Sequence, residues 1–194
     1  MPHQSFRLVL ASQSPQRQKL LEQAGYSFEV IAPHPNAECG ICSGETPNEL
    51  VARLARQKAA DVAARIDQGI VLACDTVAEC SGQILGKPHD AAHARQMLSL
   101  LSGRVHHVYS GVCLWARPSD RKLERVDVTK LKMEKLSADS LERYLDSGAW
   151  EGKAGAFGYQ EGPEWLQIIA GSESNVIGLP MELLGEMIAE FKTA

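Results

Sequence analysis

Residues 6–21, Phe6-Arg7-Leu8-Val9-Leu10-Ala11-Ser12-Gln13-Ser14-Pro15-Gln16-Arg17-Gln18-Lys19-Leu20-Leu21, decide the fold class. The first six form a short, almost unbroken apolar run, as in strands buried on both faces of a parallel sheet. Helix punctuation follows. Ser14 is a good N-cap, Pro15 suits the first helical position, and Leu20, Leu21 and Ala24 make an apolar stripe. Gly25 fits the left-handed residue that closes a helix. A buried strand that feeds a helix through a short polar loop opens an α/β unit.

Working outward, residues 28–31 read as a second strand, and residues 32–44 as a loop rich in Pro, Gly and Cys. Thr46-Pro47-Asn48-Glu49 is a capping box with Pro at the first helical position. The spacing of Val51, Leu54, Ala55, Val62 and Ile66 predicts a helix to about residue 66. Residues 70–73 form another apolar strand, predicted to end at Cys74-Asp75-Thr76, and residues 77–79 and 83–85 a hairpin about Ser81-Gly82. Asp90 caps a helix that stops at Ser102-Gly103. Residues 105–115 and 123–133 alternate around Pro118-Ser119-Asp120 and predict a long antiparallel pair. A helix over 137–147, a glycine-rich stretch over 152–162, a strand over 165–170 and a helix over 180–191 complete the chain. The expected fold is α/β, a mixed twisted sheet with flanking helices, as one domain over residues 1–194 with two lobes around a central cleft and no separable linker.

Composition narrows the function. The 194 residues have room for one domain that buries roughly 70% of its unfolded surface. A net charge of −4, with Lys and Arg scattered, argues against a nucleic-acid polymer as partner and leaves a small anionic ligand open. No apolar run approaches a membrane span, and no secretory signal is visible at the start. Five cysteines, an odd number, predict a reduced cytoplasmic protein.

Four places have chemical potential. The helix start after Ser12 and Ser14 offers unpaired N–H groups and hydroxyls to an anion, and Arg17 and Lys19 sit where the helix dipole disfavours a cation unless an anion joins them. The bland alternative is a capped helix with solvated basic residues. Asp75, at a strand end, fits a metal ligand or general base, or a simple polar turn. Lys58 falls beside an apolar stripe and either snorkels to solvent or reaches phosphates; Lys87, in Gly86-Lys87-Pro88, poses the same choice. Cys39-Gly40-Ile41-Cys42 lacks the second cysteine pair that a structural zinc site needs, and His34 is its only close histidine.

Taken together, the segments resemble the Maf family of nucleoside triphosphate pyrophosphatases almost end to end. The resemblance rests on Leu10-Ala11-Ser12-Gln13-Ser14-Pro15-Gln16-Arg17, Val51-Ala52-Arg53-Leu54-Ala55-Arg56-Gln57-Lys58-Ala59, Asp75-Thr76 and Gly86-Lys87-Pro88. It continues through Met97-Leu98, Leu101-Ser102-Gly103, His107, Ser110-Gly111, Lys153 to Gln160 and Asn175-Val176-Ile177-Gly178-Leu179-Pro180. It implies a fold similar to the inosine triphosphatases, usually as a homodimer, that hydrolyses nucleoside triphosphates to monophosphate and pyrophosphate with Mg2+ or Mn2+. By the same resemblance Asp75 is the proton acceptor, and Ser12, Ser14, Arg17, Lys58 and Lys87 contact phosphates. Asp75 and Glu38 would hold the metal. Gln16, Thr76 and Gln160 match positions associated with base selection. Thr76 and Gln160 look like the subgroup favouring thymidine and uridine triphosphates, whereas Gln16 stands where the family has arginine. Asn36-Ala37-Glu38 keeps one carboxylate where the family tends to have two. That departure motivates the alternative of a catalytically weak nucleotide-binding regulatory protein.

Overall fold

The computed structural model describes residues 6–40, 42, 44–159 and 164–193. Strand β1 (Leu8–Leu10) is buried throughout and lies parallel to both β2 (Glu29–Val30) and β3 (Gly69–Cys80). Helix α1 (Pro15–Gln23) follows β1, with Ser14 as N-cap and Pro15 at its start. It ends as the sequence predicts: Gly25 takes φ +78°, its N–H bonds to Glu22 O, and Tyr26 N–H bonds to Leu21 O. That pair of reversed bonds satisfies carbonyls that the helix end would leave open.

Helix α2 (Pro47–Ala63) carries the predicted capping box: Thr46 Oγ accepts from Glu49 N, and Glu49 Oε2 accepts from Thr46 N. It stops at Ala63, three residues before the expected end, and Ile66 packs on the core from the following turn. Beyond β3 come β4 (Gln83–Leu85), α3 (Ala91–Leu101), β5 (Val105–Arg117) and β6 (Lys122–Met133). The rest is α4 (Ala138–Asp146), β7 (Leu166–Ala170), α5 (Glu173–Ile177) and α6 (Met181–Thr193). The sheet runs in the order β2-β1-β3-β5-β6-β7, with β4 paired antiparallel to β3 and β7 antiparallel to β6. A mixed sheet with six helices is the expected α/β class.

Two expectations need correction. The strand through residue 73 does not end at Asp75; it runs on to Cys80. Its parallel pairing with β1 reaches Leu72, and residues 78–80 pair with β4 instead, so the strand changes partner rather than stopping. Helix α5 lies between the strand expected over 165–170 and the helix expected over 180–191, where no element was predicted, because five residues are too few to show a period.

The chain forms two compact units. The first comprises Met1–Asp75, Ser110–Asp127 and Gly178–Ala194; the second Thr76–Tyr109 and Val128–Ile177. In the first, Val9, Ala11, Ala55, Ala59, Val62, Val71, Ala73 and Cys113 make one core, with small alanines letting α2 lie close on the sheet. In the second, Met97, Leu98 and Leu101 of α3 join Val108, Leu131, Met133, Phe157 and Leu166. Buried aliphatic side chains of this kind contribute about 1.5–3 kcal/mol each.

The second core holds an anomaly. His106 is fully buried, neither ring nitrogen makes a well-formed hydrogen bond among the described residues, and Phe157 packs edge-on against the ring. Burial pushes its pKa down to about 4, outweighing the opposite pulls of the Arg104 backbone and, more weakly, of Glu79. Between about pH 6.5 and 4 the unfolded chain therefore binds a proton that the native state refuses, and stability falls as pH falls. Replacing His106 by Phe is expected to flatten this acid limb, which amounts to on the order of 3 kcal/mol. Urea denaturation at pH 7.0 and 4.5 checks it, and parallel losses in both proteins would refute the assignment.

Candidate active site

The connection from β1 to α1 is tied together by two serines and an arginine. Ser12 Oγ accepts from Ser14 N and from Arg17 Nη1, each at 3.2 Å, and Ser14 Oγ caps the helix by accepting from Arg17 N at 3.5 Å. Arg17 is neither solvated nor loose: it is 9% exposed, and its Nε donates to Gly178 O at 2.8 Å. Lys19, one helical step on, is exposed as the bland reading expected. The conflict between a cation and the helix start is met here by a backbone carbonyl and a hydroxyl. Gln16 is half-buried, and its Oε1 accepts from Ser14 Oγ at 3.1 Å.

Gly178 O links this cluster to β3, because Cys74 Sγ also donates to it at 3.2 Å. The next residue is Asp75, whose side chain is 13% exposed. Its Oδ1 lies 2.5 Å from Lys58 Nζ, and Glu38 Oε2 lies 3.2 Å from the same nitrogen. Lys58 does not snorkel. Helix α2 aims it inward at 10% side-chain exposure, where two carboxylates receive it. The formal charges of the three groups sum to −1. Lys58, read apart from the Asp75 and Glu38 pair in the sequence, thus shares one constellation with them.

The loop that follows Glu38 is held by a clamp that sequence reasoning missed. The Arg53 guanidinium grips Glu45 through Nε at 2.5 Å and Nη2 at 2.7 Å, and donates to the carbonyls of Cys39 at 3.2 Å and Gly40 at 3.0 Å. This fixes the loop after β2 to α2, and the bidentate fork explains why an arginine stands here rather than a lysine. The Arg53 hydrogen bond holds the Glu45 carboxyl down to about 2. Cys39 Sγ lies 3.3 Å from Gln57 Nε2 and 3.0 Å from Arg53 Nη1, and these donors hold its thiol below the ordinary range. Arg53 and Gln57 stand four residues apart on α2, and nothing in the sequence reading marked Arg53 for this role.

The remaining candidates belong to the second unit. Lys87 is exposed on the turn after β4, where Gly86 O accepts from Gly155 N at 3.0 Å. Gly155 needs to be glycine: φ is +68°, and a Cβ would fall 2.9 Å from Ala78 Cβ and 2.8 Å from Phe157 Cε1. Thr76 is half-buried on β3. Gln160 lies outside the described residues.

A mixed α/β sheet with a serine-capped helix start and a lysine-bridged carboxylate pair defines a class of fold and side-chain cluster rather than one protein. Comparison with known proteins narrows it. The family model of Maf-like protein matches residues 7–191, and this chain belongs to the Maf family. The dTTP/UTP pyrophosphatase of Rhodopirellula baltica is 58% identical over 186 residues, covering 95% of this chain and 82% of the relative. The dTTP/UTP pyrophosphatase of Carboxydothermus hydrogenoformans is 41% identical, covering 95% and 98%. Among solved structures, a HAM1 protein from Coxiella burnetii aligns with a TM-score of 0.51 at 17% identity, covering 95% of this chain and 99% of that one, a likeness of fold alone. No described helix is long and apolar enough to cross a membrane.

Proposed function

We propose that the protein hydrolyses nucleoside triphosphates to the monophosphate and pyrophosphate, with thymidine and uridine triphosphates among its substrates. The observation that carries this reading is the Asp75–Lys58–Glu38 cluster, joined through Cys74 and Gly178 to the buried Ser12–Arg17 helix start. Names of relatives up to 58% identical support the substrate class. Attack of water on the α-phosphorus needs an oriented nucleophile and balanced phosphate charge. Asp75 orients the water and accepts its proton. Lys58 offers three N–H donors and gives two to carboxylates, which leaves one for a phosphate oxygen.

A divalent cation fits the donor set. Mg2+ is commonly held by one or two carboxylates together with substrate phosphates, and Asp75 and Glu38 both lie within ion-pair distance of Lys58 Nζ, in a cluster of net charge −1. Bound there, Mg2+ or Mn2+ would neutralise phosphate charge and lower the pKa of a coordinated water. We further infer a cytoplasmic homodimer, on the family resemblance and the reduced cysteines.

Pyrophosphate release from a panel of nucleoside triphosphates with Mg2+ or Mn2+ tests the reading. Tight nucleotide binding without release would overturn it in favour of a regulatory binding protein, the reading that the single carboxylate of Asn36-Ala37-Glu38 invites. Lys58→Ala is expected to weaken triphosphate binding about tenfold or more, as for a lost charge-assisted hydrogen bond, and monophosphate binding less. Equal losses for both ligands would place Lys58 away from the β and γ phosphates.

Gln16 bears on base selection. An amide presents one acceptor and two donors without charge, whereas arginine presents a fixed cationic fork. Bonded to Ser14 and half-buried, Gln16 is not a free surface side chain. Gln16→Arg is expected to narrow preference towards thymidine and uridine triphosphates, by roughly tenfold in the pyrimidine-to-purine ratio of kcat/KM. An unchanged ratio would leave selection to Thr76, Gln160 and the backbone.

A further inference from the structure

The cysteines divide sharply by environment. Cys74, Cys80 and Cys113 are buried, while Cys39 and Cys42 are exposed. The exposed two are three residues apart, and the Cys42 Sγ lies 4.0 Å from Gly40 O between them. Cys39 Sγ is exposed and faces two donors, Arg53 Nη1 at 3.0 Å and Gln57 Nε2 at 3.3 Å. The structural role of Arg53 needs no cysteine, since Glu45 and the carbonyls of Cys39 and Gly40 already engage the guanidinium. A cationic cradle on one exposed sulfur, with a second sulfur at hand, is the arrangement of a peroxide-reactive cysteine and its resolving partner.

Position gives the pair a consequence. Cys39 follows Glu38, and Gln57 precedes Lys58, so the sulfur contact and the Glu38–Lys58 contact are neighbours along both strands of chain. We propose that Cys39 and Cys42 are a redox switch: hydrogen peroxide closes them into a disulfide that draws Cys39 off Arg53 and Gln57, moves Glu38 away from Lys58 and lowers turnover. The effect on turnover rests on the pyrophosphatase reading; formation of the disulfide does not.

The chemistry balances. The Cys39 sulfur attacks one peroxide oxygen, an S–O bond forms, the O–O bond breaks, and the departing hydroxide takes the thiol proton as water. The Cys42 sulfur then attacks the Cys39 sulfur, the S–S bond forms, the S–O bond breaks, and a second water leaves with the Cys42 proton. Peroxide is the oxidant, and the dithiol supplies both electrons.

The test treats the reduced protein with stoichiometric hydrogen peroxide and maps peptides by mass spectrometry. The expected product is a monomeric chain two hydrogens lighter, with Cys39 linked to Cys42 and the three buried thiols intact. Pyrophosphate release is expected to fall about tenfold, as for loss of support behind a ligating carboxylate, and to return with dithiothreitol. Cys42→Ser is expected to keep full reduced activity and form no intramolecular disulfide. Failure of Cys39 and Cys42 to pair, or pairing of another cysteine, would overturn the redox assignment. A mapped disulfide with unchanged turnover would overturn the coupling to Glu38. Absence of turnover in the reduced protein would count against the pyrophosphatase reading instead, with the mapping still deciding the disulfide.

Discussion

Asp75→Asn is expected to leave a folded protein that binds nucleoside triphosphate and releases pyrophosphate at least about a hundredfold more slowly, the lower end of what a positioned acid or base contributes. The substitution keeps the volume of a side chain that is 13% exposed. It removes the charge facing Lys58 at 2.5 Å, but Glu38 at 3.2 Å remains, so the ammonium is not left as a buried charge without a partner. Stability should therefore change far less than when a buried ion pair is broken outright. The loss should appear in kcat, with KM for the triphosphate shifted much less. Initial rates of pyrophosphate release, beside a thermal melt of both proteins, check it. Turnover near that of the parent in a folded variant would remove Asp75 from the chemistry and leave it a structural partner of Lys58.

Much of the fold was legible because local signals agreed with one another. Ser14-Pro15 and Gly25 bounded α1, and Thr46 with Glu49 opened α2, since caps are read over a few residues and need no tertiary information. The continuation of β3 past Asp75 was not legible. Whether a strand stops or changes partner depends on what lies beside it, and residues 78–80 find β4. Helix α5 is held by tertiary bonds: Asn175 Nδ2 donates to Val108 O at 3.2 Å and to Thr129 Oγ1 at 2.9 Å, both distant in sequence.

The site was legible as residue types and not as geometry. Helical spacing put Lys58 beside an apolar stripe, where snorkelling and burial look alike; the carboxylates of Asp75 and Glu38, from two other segments, decide for burial. Arg17 read as a phosphate contact, with a solvated cation as the bland alternative; its bond to Gly178 O, 161 residues away in sequence, was in neither reading. Arg53 left no local mark of its role, because Glu45 and Cys39 reach it from a loop without periodicity. Charge pairing across long sequence separations builds this site, and a single sequence does not display it.

That site depends on where α2 lies, and Gly111 sets the distance. Built on the backbone of β5, a Cβ at Gly111 would fall 2.2 Å from Val51 O, 2.4 Å from Val51 C and 2.7 Å from Ala52 N. All three are backbone atoms of α2, so no rotamer change relieves the overlap; the helix itself has to move. Val51, Ala55 and Val62 fix it there with side chains fully removed from solvent. Gly111→Ala is expected to cost more than about 4 kcal/mol, beyond the usual range for overpacking because a whole helix is displaced. Lys58 rides on the same helix, so any folded fraction should also lose pyrophosphate release. Gly185→Ala, inside α6 with nothing within 4 Å of the added carbon, is the control, and it should be neutral or stabilising by about 0.5–1 kcal/mol. Urea midpoints of the three proteins measure both effects. A Gly111→Ala midpoint close to that of the parent would mean that α2 backs away from β5 at little cost, and the position of Lys58 would then have to be held by its two carboxylates rather than by the packing of its helix.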